Sequence, residues 1–402
     1  MRWSKKQAIS LTFATSLLAS FTSIANSHLL DEPTGLTQLP YEHVIEVKGR
    51  TLITEKGLAF SWPGVSLATT IDGSKIAVTL DGPKNYFDVK IGSTQFVLET
   101  KPGKHTYLLA DNLSNHPHKV ILTKRNEDHF QPSYLVSWHS DKQNSSNASS
   151  NTQSSTSADY FYQIKQSDKA RIQFFTDSHG AGYGNESPTR ECSQDEIRQY
   201  TNHLKAYPSL VAKHFDADNY SQSYSGAGIV RNWGGHGQKH SFLSFSDSVL
   251  LGTEVVDNPT IKEKWQWSYA NDKASLIVIE LGHNDFTTAL RQHVEHEKWS
   301  NLTALKQDYI QTAKSWIQNL ASVYGKETPF VMMSTRLYPE DHLTPLNQQI
   351  VSELHEQGIA ISYLNYASAV TGQSCQWHPS AKEHQAISAL LIEHIENRKI
   401  NL

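Results

Sequence analysis

The spacing of hydrophobic positions changes near the middle of this chain. Between residues 40 and 138 it has period two: Ile76, Val78 and Leu80 form one set, Phe87, Val89 and Ile91 another, Val120 and Leu122 a third. Side chains two apart share one face of a strand. Gly82-Pro83, Gly92-Ser93 and Pro102-Gly103 punctuate the sets, and short strands between turn signals predict an all-β sandwich. Beyond Arg171, apolar runs at 171–176, 275–281, 329–334 and 359–364 predict strands with helices between them. Ile310, Ala313, Ile317 and Leu320 fall on one helical face closed by Gly325. Ser380 and Glu383 make a capping box opening a helix through Ile387, Leu391 and Ile395. Strands alternating with helices predict a mostly parallel sheet with helices on both faces.

Two domains follow, 28–165 and 166–402, since the chain is long for one core. Residues 142–157 are rich in Ser, Asn, Gln and Thr and nearly devoid of apolar side chains. Such a stretch buries too little surface to offset its chain entropy and is expected to be a disordered loop. Tyr160, Phe161 and Tyr162 resume an ordered pattern. At the start, Arg2, Lys5 and Lys6 precede an apolar run ending at Ala25-Asn26-Ser27, which reads as a signal peptide over 1–27 and predicts a secreted or periplasmic protein. A formal charge of −4 with interspersed signs offers no basic field for nucleic acid and no polybasic membrane patch.

Chemistry concentrates in four blocks: Asp177-Ser178-His179-Gly180, Ser225-Gly226-Ala227-Gly228, Gly282-His283-Asn284-Asp285 and Trp377-His378-Pro379. A serine hydroxyl attacks only when a base takes its proton, and acyl transfer needs donors placed for a tetrahedral oxyanion. Any one of the 20 histidines is ordinarily a surface or structural residue. Four blocks in this order carry far more information than any one alone.

The blocks resemble those of the SGNH (GDSL-type) hydrolase superfamily. The run through Gly184-Asn185-Glu186, the Val230-Arg231-Asn232 tail and Trp377-His378-Pro379-Ser380 look most like carbohydrate esterase family 2. That resemblance implies a jelly-roll domain ahead of the hydrolase domain and removal of O-acetyl groups from carbohydrate without metal or cofactor. It implies Ser178 as nucleophile, His378 as general base, and an oxyanion hole from the Ser178 N–H, the Gly226 N–H and the Asn284 amide. The partner is then an acetylated poly- or oligosaccharide. Asp177 is expected to hold the nucleophile turn and Asp285 to brace the Asn284 loop.

This chain departs from the family pattern at Thr176, His179 and His283, and at Gln376 and Cys375, where a carboxylate is expected before the histidine. The last departure implies a Ser-His dyad steered by a backbone carbonyl, with a relocated carboxylate as the alternative. His179 and His283 are candidate pocket residues. Trp377 and Trp233 are candidate sugar contacts, Trp233 ahead of Trp265 and Trp267, because indole faces suit the apolar faces of pyranose rings. His293, Glu295, His296 and Glu297 could suggest a metal cluster, but a solvated helical face explains them better. Cys192 follows the first block and Cys375 precedes His378; as the two cysteines of an exported chain they predict a disulfide, two free thiols being the alternative. Competing functions are a broader lipase or aryl esterase and a non-catalytic carbohydrate-binding protein.

Overall fold

The computed structural model describes residues 28–114, 116–142, 167–236, 240–252, 266–267, 273–290 and 297–402. The signal-peptide reading, the loop at 143–157, Tyr160–Tyr162, Trp265 and the run 293–296 lie outside those residues.

The N-terminal part is a pair of antiparallel sheets. One runs His28–Leu30, His105–Ala110, Ile76–Asp81, Ser133–Ser140, Gly57–Phe60, Leu52–Thr54, with Thr37–Pro40 also on Ser133–Ser140. The other runs Glu46–Lys48, Ser66–Asp72, Pro117–Lys124, Tyr86–Ile91, Thr94–Glu99. The alternating residues of the sequence, Val78, Leu80, Phe87, Val89, Val120 and Leu122 among them, meet in one buried core between the sheets. This is the all-β sandwich that the period-two pattern predicts, in the jelly-roll-like form that the family resemblance implies.

The C-terminal part holds a parallel sheet in the order Asp218–Ser223, Arg171–Thr176, Leu276–Glu280, Phe330–Ser334, Ile361–Asn365. Successive residues of its strands feed opposite faces. Phe175, Ile277, Ile279 and Met332 pack with the helix Leu302–Tyr324, whereas Ile172, Phe174, Val278 and Met333 pack with the helix Ala381–Asn397. The Ser380/Glu383 capping box is formed, and Ile387, Leu391 and Ile395 are buried. One strand escaped the sequence reading: Asp218–Ser223 is polar apart from Tyr220 and has no apolar run. It pairs along the full length of Arg171–Thr176, and the sandwich reaches it through the ion pair Lys48–Asp218 at 2.9 Å.

Strand order reverses direction at Arg171–Thr176, because the chain crosses to one neighbour and then to the other. In such sheets the crevice beyond the strands' carboxyl ends is the natural ligand site. Ser178 follows the first strand at this crevice, and Asn284 follows the third. The sandwich docks beside it. Arg50 Nη1 donates to Ser246 O (2.7 Å) and Ser248 O (2.9 Å), and Trp62 Nε1 to Val249 O (3.0 Å).

Candidate active site

The strand Arg171–Thr176 runs directly into a single helical turn, Ser178–Ala181. Asp177 caps that turn, its Oδ1 accepting from the His179 N–H at 3.0 Å. An acceptor there satisfies an N–H that the turn leaves unpaired. Ser178 is 8% exposed, and its Oγ lies 2.8 Å from His378 Nε2. On the far side of the ring, Nδ1 lies 3.0 Å from Cys375 O. A carbonyl accepts only, so Nδ1 carries the proton and Nε2 offers its lone pair to the serine.

The loop bearing His378 is held by unusual means. Gln376 and Trp377 both adopt positive φ, 51° and 61°, a region that residues other than glycine seldom visit. Three restraints oppose relaxation. The disulfide Cys192–Cys375 ties the loop to the segment after the nucleophile. The capping-box Glu383 also accepts from the backbone N–H groups of Thr371 (2.6 Å) and Gly372 (3.0 Å). Burial pushes its carboxyl up, but the N–H bonds from Ser380 and Thr371 outweigh that and bring it down to about 2. The Tyr183 ring lies 4.4 Å from the His378 ring, and its hydroxyl donates to Gln376 Oε1 at 3.0 Å.

In the second block, Gly226 adopts φ +82°, and nothing beyond its chain neighbours lies within 4 Å of the point where a Cβ would stand. Its backbone is open to a ligand, as only glycine permits. Asn284 is buried, and its Nδ2 donates to Ala227 O (2.9 Å) and to Asp177 Oδ2 (3.2 Å). Asp285 links the two blocks: its carboxyl accepts from the N–H groups of Ile229 (2.9 Å), Val230 (2.8 Å) and Arg231 (2.9 Å). A Cβ at Gly228 would collide with that carboxyl. The sandwich contributes as well. Glu127 accepts from the Ser225 N–H at 3.3 Å and lies 3.0 Å from His129 Nε2. Burial pushes the Glu127 carboxyl up, but contact with His129 outweighs it, and it falls to about 2.

Beneath the turn lies a buried polar cluster. Tyr366 donates its hydroxyl to Glu280 Oε1 (2.6 Å) and meets His179 Nδ1 at 2.8 Å. His283 Nδ1 is 3.0 Å from Glu280 Oε1 and 3.4 Å from Asp177 Oδ2. Burial, helped by the Asp177 charge, pushes the Glu280 carboxyl up to about 7. One ligand atom each from Asp177, His179, Glu280 and His283 lie within 4.8 Å of one another, a donor set that suits a divalent transition metal. The tautomer argues against a metal. The Thr335 N–H donates to His283 Nε2 at 3.2 Å, so the lone pair is there and the proton sits on Nδ1, the atom a metal would need. Burial pushes His283 down, while contact with Asp177 and Glu280 outweighs it and raises it to about 10. A second ring proton would face the Thr335 N–H head-on, and we therefore read the ring as neutral.

Trp233 and Trp377 are 52% and 67% exposed, and the Trp233 N–H donates to Gly226 O at 2.9 Å. Trp267 is not at this rim: it packs on Arg50 and Tyr220 at the domain junction. Glu297 corrects the reading of its run as a solvated face, because its side chain is 4% exposed and paired with Arg231 at 2.7 Å. Sequence reasoning missed Glu127, Glu280 and Tyr366. Each lies outside the four blocks, and only Glu280, a charged residue closing an apolar strand, carries a local signal.

This chain has known relatives. Residues 172–391, more than half of the chain, match the model of the GDSL-like lipase/acylhydrolase family. The chain belongs to that family. Residues 47–146 match the N-terminal domain of carbohydrate esterase 2, so the order of the two parts is that of family 2 carbohydrate esterases. An acetylxylan esterase / glucomannan deacetylase of Cellvibrio japonicus is 29% identical over 361 residues, spanning 88% of this chain and 91% of that protein. A solved carbohydrate esterase, described as displaying divergent catalytic and non-catalytic binding functions at its active site, superposes with TM-score 0.69 at 27% identity. The match covers 88% of this chain and 97% of that one. A family two carbohydrate esterase from Clostridium thermocellum in complex with cellohexaose has TM-score 0.67 at 19% identity, over 88% and 98% of the two chains, and shares the fold.

Proposed function

We propose that this family member is an exported serine esterase that removes O-acetyl groups from carbohydrate. The observation that carries the reading is the 2.8 Å contact of Ser178 Oγ with the unprotonated nitrogen of His378. In the reaction, Ser178 Oγ attacks the acetyl carbonyl carbon as His378 Nε2 takes its proton. The carbonyl oxygen becomes an oxyanion, facing the N–H groups of Ser178 and Gly226 and the Asn284 amide. Collapse expels the sugar alkoxide, which takes the proton from Nε2 and leaves acetyl-Ser178. Water then repeats the steps and releases acetate. The carbonyl of Cys375, in place of a carboxylate, orients the imidazole, so the pair acts as a dyad. Trp233 and Trp377 offer exposed indole faces to the sugar.

A panel of acetylated xylan, glucomannan and monosaccharides, set beside esters of longer acyl chains, tests the substrate class. Preference for long acyl chains would make the protein a lipase-like esterase, and binding without turnover would make it a carbohydrate-binding protein.

Two further outcomes check the roles. Asn284→Ala is expected to lower kcat by about 10²–10³ with KM little changed, the cost of one oxyanion donor; a loss confined to KM would assign Asn284 to substrate binding instead. The acid limb of kcat/KM reports protonation of His378, which must be neutral to act. Burial lowers its pKa from 6.5, opposed in part by its bond to Cys375 O. Activity is thus expected to persist as pH falls to 6.5 and to be lost below it, in a pH–rate profile fitted to one ionisation. An inflection above 6.5 would indicate a carboxylate acting on the imidazole.

A further inference from the structure

Asn284 presents an accounting problem that its neighbours resolve. A side-chain amide has two hydrogens, and both are engaged, one by Ala227 O at 2.9 Å and one by Asp177 Oδ2 at 3.2 Å. To donate to an oxyanion, the amide must release one acceptor, and Asp177 holds the longer bond. Released, Asp177 Oδ2 would lose a donor in a side chain only 1% exposed. An unsatisfied buried acceptor costs enough to slow a reaction by roughly 10- to 100-fold.

A replacement donor stands ready. His283 Nδ1 lies 3.4 Å from the same oxygen, and the Thr335 N–H on Nε2 fixes the ring proton on Nδ1. That proton is buried and makes no well-directed hydrogen bond among the described residues. Glu280 does not depend on it, since Oε1 already accepts from Tyr366 at 2.6 Å. We propose that His283 is a positioning residue whose Nδ1–H takes over Asp177 Oδ2 as Asn284 turns its amide toward the oxyanion. The proton stays on Nδ1 throughout, and only hydrogen-bond acceptors are exchanged. The turn that presents Ser178 is thereby held in place, because the other oxygen of Asp177 caps it. This exchange rests on the reading of Asn284 as an oxyanion donor.

A double-mutant cycle on an acetyl ester tests it, with kcat and KM measured for wild type, His283→Phe, Asn284→Ala and the double variant. His283→Phe is expected to lower kcat about tenfold with KM unchanged, since the loss arises only when the amide turns. The double variant is expected to be no slower than Asn284→Ala, because no amide remains to be released. His283→Gln, which offers both a donor and an acceptor, is expected to recover most of the lost kcat. Multiplying losses in the double variant, or a His283→Phe effect confined to KM, overturns the exchange. If Asn284→Ala leaves kcat intact, the oxyanion assignment itself fails; if it lowers kcat while His283→Phe does not, the exchange alone fails. Should His283→Phe not fold, the wild-type protein serves. The Nδ1 proton resonance of His283 is followed before and after an organophosphonate ester modifies Ser178 with a tetrahedral adduct. A downfield shift supports the exchange, and an unchanged resonance overturns it.

Discussion

Ser178→Ala is expected to reduce ester turnover by about 10⁴-fold or more while leaving the fold intact. In the proposed reaction the hydroxyl forms the acyl bond, and among the described residues its Oγ has one hydrogen-bond partner, His378. Its removal leaves the Asp177 cap, the left-handed Gly182 and the packing beneath the turn unchanged. Residual hydrolysis would come from the oxyanion donors and from binding, which act without a nucleophile. The measurement is kcat on an acetyl ester beside the denaturation midpoint of the same preparation. Near-wild-type turnover in a folded variant would sink the serine-esterase reading. Loss of turnover together with loss of fold would call for Ser178→Gly, which also removes the hydroxyl.

Reduction of Cys192–Cys375 is expected to cost both stability and activity. The bond joins residues 183 apart in sequence, and closing so long a loop removes chain entropy from the unfolded state worth about 5 kcal/mol in the entropy model. The functional cost has a separate origin. Cys375 supplies the carbonyl that meets His378 Nδ1, and the next two residues hold positive φ. With the bond cut, that loop is free to relax toward ordinary backbone angles, and Nδ1 loses its acceptor. Denaturant unfolding and initial rates, with and without reductant, are expected to fall together. A reduced protein of unchanged kcat would show that Glu383 and Tyr183 suffice to hold the loop. Two alkylatable thiols in the native protein would refute the bond itself.

Much of this molecule is legible in its sequence because the governing interactions are periodic or local. Period-two alternation identifies the sandwich strands, since a sheet buries every second residue whatever its partners. The Ser380/Glu383 box marks a helix start because both of its hydrogen bonds form within four residues. The four blocks name Ser178, Gly226, Asn284 and His378 through their family resemblance, which is readable because each stands shortly after a strand or before a helix, where local geometry limits residue choice. Polar strand Asp218–Ser223 was invisible for the converse reason: its burial comes from the neighbouring strand and from the helix Tyr207–His214 packed on it, and not from its own composition.

Only the tertiary structure decided what supports those blocks. A carbonyl stands where a carboxylate is expected, because the loop that ends in Cys375 turns its backbone toward His378. The sandwich reaches the glycine block through Glu127, 98 residues away in sequence from Ser225. Asp177, the Glu280/His283 pair and Tyr366 come from three separate segments and form one buried cluster. Hydrogen bonding between distant segments leaves no period in the sequence, because each partner's position is fixed by the whole fold. Short local motifs thus named the groups proposed to react, while the packing of strands and loops fixes how each is held.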